Sequence, residues 1–266
     1  MKTLWQNLFG DSTEYIENFF LAAKPLETGL CAFDGEILAG MLFSLPGVFV
    51  LEGKAYDGRY LYAVSTDPAY RRQGVMTDLE AEACRQAAGE GARCMVLVPA
   101  DAGLFSMYEK LGYRTRFRLS RTRIPAPVCP KARLSPCPME EFLAMRREML
   151  RRLESYFDFY PDMGEYRYRE FAGTGREILR AETPYGTGYL AGHPEEKEYL
   201  IEETSLGGNA LAQAAGELAC RYGVKRVVST GRYGTSSPYG MLKLLDNSID
   251  GERARKANAY LNLMLN

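Results

Sequence analysis

Pro125, Pro127, Pro130, Pro136 and Pro138 crowd into "TRIPAPVCPKARLSPCPM", residues 122–139. Proline has no backbone N–H and a fixed φ, so neither a continuous helix nor a central strand runs through this stretch. The prolines divide the chain into an N-terminal half (residues 1–125), a linker (126–138) and a C-terminal half (139–266). Each half has the length of one modest domain.

The two halves share an order of elements. In the first, "DSTEYIENFFLAA" offers Asp11 or Ser12 as a helix cap and apolar residues at helical spacing. Asp34-Gly35, between apolar runs, predicts a hairpin turn, and a second turn is expected near Asp57-Gly58. A meander of three or four antiparallel strands follows the helix. Then come a helix from Gly74, a buried strand "RCMVLVP", a helix "LFSMYEKLG" and a closing strand "YRTRFRLSRTRI". The second half repeats the scheme: a helix "MEEFLAMRREMLRRL", three strands with turns at Pro184-Tyr185-Gly186 and His193-Pro194, and a helix "GNALAQAAGELACRYG". A strand "KRVVST", a helix "PYGMLKLLD" and a final strand "AYLNLMLN" complete it. The repeat is one of element order, which points to duplication of one domain type.

Composition removes several classes of function. The net charge is -1, so nothing draws the whole chain to nucleic acid or an anionic membrane. No apolar run approaches the roughly 18 residues of a membrane span, and "MKTLWQNLFGDSTEY" turns polar too early for a signal peptide. The six cysteines form no C-x-x-C pair and His193 is the only histidine. Neither zinc binding nor a Ser-His or Cys-His machine is expected, and His193 reads as an ordinary surface residue. Reduced thiols suit a cytoplasmic protein.

Chemistry concentrates in "VSTDPAYRRQGVMTDLEAEACRQA", residues 64–87. A strand runs into a helix start through Arg71, Arg72, Gln73 and Gly74. The first N–H groups of a helix lack intrahelical partners and lie at the positive end of its dipole. Gly74 admits a bulky anion, and the arginines add charged donors. A pyrophosphate is one occupant of such a site; two solvated arginines at a helix start are the plain alternative. The Walker pattern is absent, and "GEGARC" precedes a strand instead of opening a helix.

The next elements decide between these readings. About thirty residues on, "LFSMYEKLGY" places Tyr108 four residues before Gly112, on a helix after a buried strand. With the meander and the Arg-x-x-Gly helix, residues 59–117 resemble the GNAT family of acetyl-CoA-dependent N-acetyltransferases. Arg71 and Gly74 match the family's phosphate motif, while Met76 stands where Gly or Ala is usual. "VSTDPAYRRQGVMTDL" and the opening "LWQNLFGDSTEYIENFF" look like the Eis-type branch, which carries a large aliphatic residue there. The expected protein is an Eis-like tandem GNAT protein without the third, sterol-carrier-like domain. Its fold class is mixed α/β (α+β): two mostly antiparallel sheets flanked by helices, the second copy degenerate.

This resemblance implies a layout. Acetyl-CoA lies against a splayed strand, with pantetheine paired to the backbone of Val64, Ser65 and Thr66. Its pyrophosphate sits on Arg71, Arg72, Gln73, Gly74, Val75, Met76 and Thr77. An N–H near Val64 polarises the thioester carbonyl, and Tyr108 protonates the departing thiolate. The C-terminal carboxylate of Asn266, which reaches the active site in Eis-type enzymes, is one candidate for the base; a free terminus at the surface is the alternative. The acceptor is a small-molecule or peptide amine; no metal, nucleic acid or membrane is expected, and a homo-oligomer is left open. The rings of "SYFDFYPDMGEYRYREF", with Asp158 and Asp162, either shape an acceptor pocket or pack the halves together. The arginines of residues 113–123 form a solvated strand face, or reach the 3′-phosphate of CoA. After "YLIEETSL" the second half shows Gly207-Gly208-Asn209-Ala210 with no arginine, so it is expected to bind no acetyl-CoA. A catalytically silent acyl-CoA-binding protein and a purely structural module are the competing readings.

Overall fold

The computed structural model describes residues 1–127, 129–231, 236–257 and 259–262. Helices α1 (Lys2–Phe9), α2 (Thr13–Ala23) and α3 (Pro25–Thr28) precede strands β1 (Gly29–Asp34), β2 (Ile37–Leu51) and β3 (Lys54–Thr66). A 3-10 turn at Pro68–Tyr70 leads to α4 (Val75–Gly89), β4 (Cys94–Leu97), α5 (Leu104–Lys110) and β5 (Arg114–Arg123). Next come β6 (Arg133–Pro136), α6 (Met139–Arg151), β7 (Ser155–Phe159), α7 (Pro161–Gly173) and the strands β8 (Glu177–Thr183), β9 (Gly186–Pro194) and β10 (Glu198–Thr204). The described chain continues through α8 (Gly208–Tyr222), β11 (Arg226–Gly231), β12 (Ser236–Leu244) and α9 (Gly251–Lys256).

The fold is mixed α/β. A single, mostly antiparallel sheet runs in the order β1-β2-β3-β4-β12-β5-β11-β10-β9-β8-β6, with β7 paired to β2. Two pairings are parallel, β3 with β4 and β10 with β11, one in each half. The sheet is continuous across the proline-rich stretch because β5 is shared. Its first part pairs with β12 and its last four residues with β11.

Several local expectations are corrected. The first hairpin turns at Gly35-Glu36, one residue later than predicted, since Asp34 already pairs with Ile37. The second turns at Glu52-Gly53, where φ is 49° and 77°, as a two-residue hairpin loop requires. Gly58 lies inside β3 for a packing reason: a Cβ there would meet Cys94 Sγ at 2.9 Å and the Phe157 ring at 3.1 Å. "PYGMLKLLD" is part of strand β12, not a helix. Met241 and Leu242 are both buried, in cores on opposite faces of the sheet, and an apolar run buried on both sides carries no strand alternation to read. Within the proline-rich stretch, β6 pairs among the described residues with β8 alone, the edge position that proline tolerates. Pro127 and Pro130 press against α8 where Gly216 leaves room.

On one face of the first half, Trp5 and Phe19 of α1 and α2 pack against Phe43 and Tyr60. Phe157, Phe159 and Tyr166 from the second half join that core. On the other face α4 and α5 cover Leu42, Leu61, Met95 and Met241.

Candidate active site

Strands β3 and β4 are hydrogen-bonded only from Gly58–Tyr60 to Cys94–Val96. Beyond Tyr60 they part, and a cavity of about 710 Å³ opens between them. Tyr60 to Val64 line one wall, Leu97 to Ala102 the other, and Leu104, Phe105 and Tyr108 come from α5. Opposite Leu42, β3 carries an extra residue, because Met41 pairs with Ser65 while Phe43 pairs with Tyr62. Ala63, in this bulge, has φ of 48°. A bulge takes backbone out of the ladder and a left-handed alanine is strained, and both are concentrated at functional sites.

Tyr108 projects from α5 into this cavity and packs edge-on against Tyr113, with ring centroids 5.6 Å apart. Burial pushes its phenol up to about 12, and the Glu80 carboxylate adds to the shift. Among the described residues its hydroxyl has no hydrogen-bond partner, so it is free to donate to something in the cleft.

From the far end of β3, Asp67 caps the 3-10 turn. The chain then bends through Arg72 (φ 64°) and Gly74 (φ 91°) into α4. Gly74 is the N-cap and supplies no side-chain oxygen, so no side chain caps the N–H groups of Val75, Met76 and Thr77. Arg71 and Arg72 are exposed. Arg71 Nε lies 3.5 Å from the Thr66 carbonyl, and Gln73 Nε2 donates to the Ala69 carbonyl at 2.9 Å. The structure thus places Val64, Ser65 and Thr66 on the splayed strand, the Arg71–Thr77 segment just beyond it, and Tyr108 across the cleft from Val64.

The candidate base, the carboxylate of Asn266, lies outside the described residues. The chain leading to it is anchored: the Tyr260 N–H donates to the Ser155 carbonyl at 2.9 Å, and Asn262 Nδ2 donates to the Glu202 carbonyl at 2.5 Å.

The aromatic stretch 155–171 is chiefly packing. Phe157, Phe159 and Tyr166 are buried, and Asp158 is held by Arg146 at 2.8 Å and Arg167 at 2.9 Å. Asp158 is therefore not a docking point for a cationic amine. Its neighbour Glu203 takes Arg146 Nε at 2.9 Å and the Tyr189 and Tyr260 hydroxyls at 2.8 Å each. His193 is also more than a surface residue. It lines a second cavity, of about 290 Å³, between the halves, with Nδ1 3.0 Å from Glu202 Oε1. Sequence reasoning missed Trp5, Asp11, Tyr62 and Tyr239 of the main cleft. Tyr62 was accessible through strand alternation, whereas Tyr239 fell in a segment expected to be helical.

Two parting parallel strands thus open a cleft with the α4 start at its end and Tyr108 in its lining. Residues 1–116 match the family model of the acetyltransferase (GNAT) domain, so the first half carries a domain of this family. No curated protein matches the sequence. Among solved structures, a probable N-acyltransferase from Enterococcus faecalis aligns with a TM-score of 0.73 at 15% identity, covering 92% of this chain and 69% of that one. A GCN5-related N-acetyltransferase from Anabaena variabilis gives 0.72 at 16%, covering 92% and 69%. Eis1 from Mycobacterium abscessus gives 0.64 at 16%, covering 88% and 70%. At such identities these likenesses describe the fold. Among the described residues no helix is long and apolar enough to cross a membrane.

Proposed function

We propose that the protein is an acetyl-CoA-dependent N-acetyltransferase, moving an acetyl group to a primary amine by direct attack in a ternary complex. The observation that carries this reading is the splay of β3 from β4, with Tyr108 on one side and the uncapped α4 start beyond Thr66. The cleft volume is in the range of small-molecule sites, about 300–1,000 Å³. The N–H groups of Val75, Met76 and Thr77, with Arg71 and Arg72, hold the pyrophosphate. The free edge of β3 at Val64–Thr66 pairs with the pantetheine amides. The N–H near Val64, out of the ladder at the bulge, faces the thioester oxygen where negative charge develops. As the amine forms its bond to the carbonyl carbon and the C–S bond breaks, Tyr108 gives its proton to the leaving sulfur.

The test is thiol release from acetyl-CoA with a panel of primary amines, beside calorimetric titration of CoA. Amine-dependent release that Tyr108→Phe lowers supports the proposal. Binding without release across the panel makes the protein a silent acyl-CoA binder, and absence of binding removes the cofactor assignment.

A further inference from the structure

The main cleft and the second cavity meet at a group of tyrosines. Tyr239 of β12 lines both. It occupies a bulge, since Pro238 pairs with Arg118 and Gly240 with the adjacent Phe117. Tyr62 lines the cleft one residue before the Ala63 bulge, and Tyr15 lines the second cavity. Their hydroxyl oxygens are 2.6 Å apart, a short hydrogen bond in which either can donate. This pair crosses the partition between the two spaces.

Beyond Tyr15 the second cavity contains two carboxylates. Glu202 is engaged by Arg176 at 3.0 Å and by His193. Glu170, half-buried on α7, is different. Its neighbours are Asn18, which hydrogen-bonds to it, and Glu14, both on α2. No cation pairs with it among the described residues. The groups facing Tyr15 are Asp11, Tyr62, Tyr166 and Glu170, and Asp11 is held by the Trp5 indole N–H at 2.7 Å.

We infer that Tyr62 and Tyr15 carry the acceptor's proton out of the cleft, through the second cavity, to Glu170. The inference rests on the N-acetyltransferase reading and supplies the base side of that reaction. An alkylamine arrives as an ammonium ion and has no lone pair to attack with. Its proton passes to the Tyr62 oxygen while Tyr62 hands its own to Tyr15, and the Tyr15 proton goes on to the Glu170 carboxylate. The nitrogen keeps the freed electron pair for the thioester carbon. Both phenols are protonated before and after, so each serves as a conduit and Glu170 is the terminus. Burial keeps both Tyr62 and Tyr15 above their ordinary values; Tyr15 adds to the rise at Tyr62, whereas the neighbouring phenols work against it at Tyr15, and the net rise suits conduits and not bases.

The experiment compares wild type with Tyr15→Phe, Tyr62→Phe and Glu170→Gln at pH 7, using acetyl-CoA and two kinds of acceptor. One is a strongly basic alkylamine such as 1,5-diaminopentane; the other is a hydrazide, neutral at this pH. Loss of a proton-transfer group costs about 100-fold or more. Each variant is expected to lose about that much kcat with the alkylamine, to keep the hydrazide rate within about 3-fold, and to keep the KM for acetyl-CoA. A structural role would lower both acceptors alike, and that result overturns the relay. Unchanged kcat in Tyr15→Phe, or a loss in Asp11→Asn with none in Glu170→Gln, overturns it as well. Glu170→Gln alters a half-buried side chain, so its kinetics remain readable if a tyrosine variant folds poorly. A wild type that binds CoA without turning over any amine refutes the enzyme reading itself, a separate result from an active wild type indifferent to these substitutions.

Discussion

Gly40 on β2 faces Val75, the first residue of α4, so closely that a Cβ at position 40 would lie 2.8 Å from Val75 Cγ1. The same Cβ would meet the Ser65 carbonyl oxygen at 3.0 Å and Leu79 Cδ1 at 3.1 Å. A missing side chain thus sets how near the uncapped end of α4 comes to the end of β3. Gly40→Ala should push that end outward. Overpacking of this kind costs about 1–3 kcal/mol, so the melting temperature should fall. CoA affinity, measured by calorimetry, should weaken by about 10-fold as the N–H groups move off the pyrophosphate. A lower melting temperature with unchanged affinity would mean that the α4 start does not hold the phosphates.

Tyr108 should act as an acid over an unusually wide pH range. Because burial pushes it up to about 12, it stays protonated throughout the range in which enzymes are assayed. The pH profile of kcat should therefore show no falling limb up to about pH 10. Tyr108→Phe should lower kcat about 100-fold or more while leaving the KM for acetyl-CoA nearly unchanged. A falling limb near pH 8 in the wild type that Tyr108→Phe abolishes would contradict the burial argument.

How far the sequence led depends on what each element buries. β1, β3 and α4 have one solvated side, and their alternation or helical spacing showed in the residues. β12 is buried on both faces and between two neighbours, so its apolar run was indistinguishable from a short helix. The Arg71–Gly74 turn and Tyr108 were legible because they are local motifs. Tyr15, Tyr62 and Tyr239 were not, since they come from three elements brought together only by the sheet. Asp158 looked like a free carboxylate among aromatic rings; Arg146 and Arg167, which claim it, lie 12 residues before and 9 after in the chain.

Asp158 ties α6 and α7 to β7 within the second half, and acid should reveal it. Burial opposes its charge, but the guanidinium groups of Arg146 and Arg167 outweigh that and hold it below the usual carboxylate range. A carboxylate depressed in the folded state adds stability that is full above its unfolded value, about 4, and is lost as pH falls through the folded value. Wild type should lose part of its stability below about pH 4, and Asp158→Asn should lack that part. At pH 7 the variant leaves two buried guanidinium groups short of a counter-charge, at a cost of about 3–5 kcal/mol. Denaturant melts at pH 3 and pH 7 measure both effects; parallel losses in the two proteins at low pH would remove Asp158 from the account.

Strand β12 should make the first half depend on the second. It lies between β4 and β5, and its Lys243 donates to the buried carboxylate of Glu80 on α4 at 2.9 Å. Glu80 also accepts from the Cys84 thiol at 3.0 Å. Without β12, β4 and β5 would expose unpaired edges, that of β4 along a buried apolar strand, and Glu80 would be buried without its cation. A fragment of residues 1–125 should therefore aggregate or melt without cooperativity, although it contains the whole stretch that matches the GNAT model. Co-expression with residues 126–266 should restore a soluble complex. In the full chain, Lys243→Met keeps the strand and removes only the charge, and it should cost about 3 kcal/mol in a urea melt. A cooperative melt from the 1–125 fragment alone would show that β12 is dispensable to the fold of the first half.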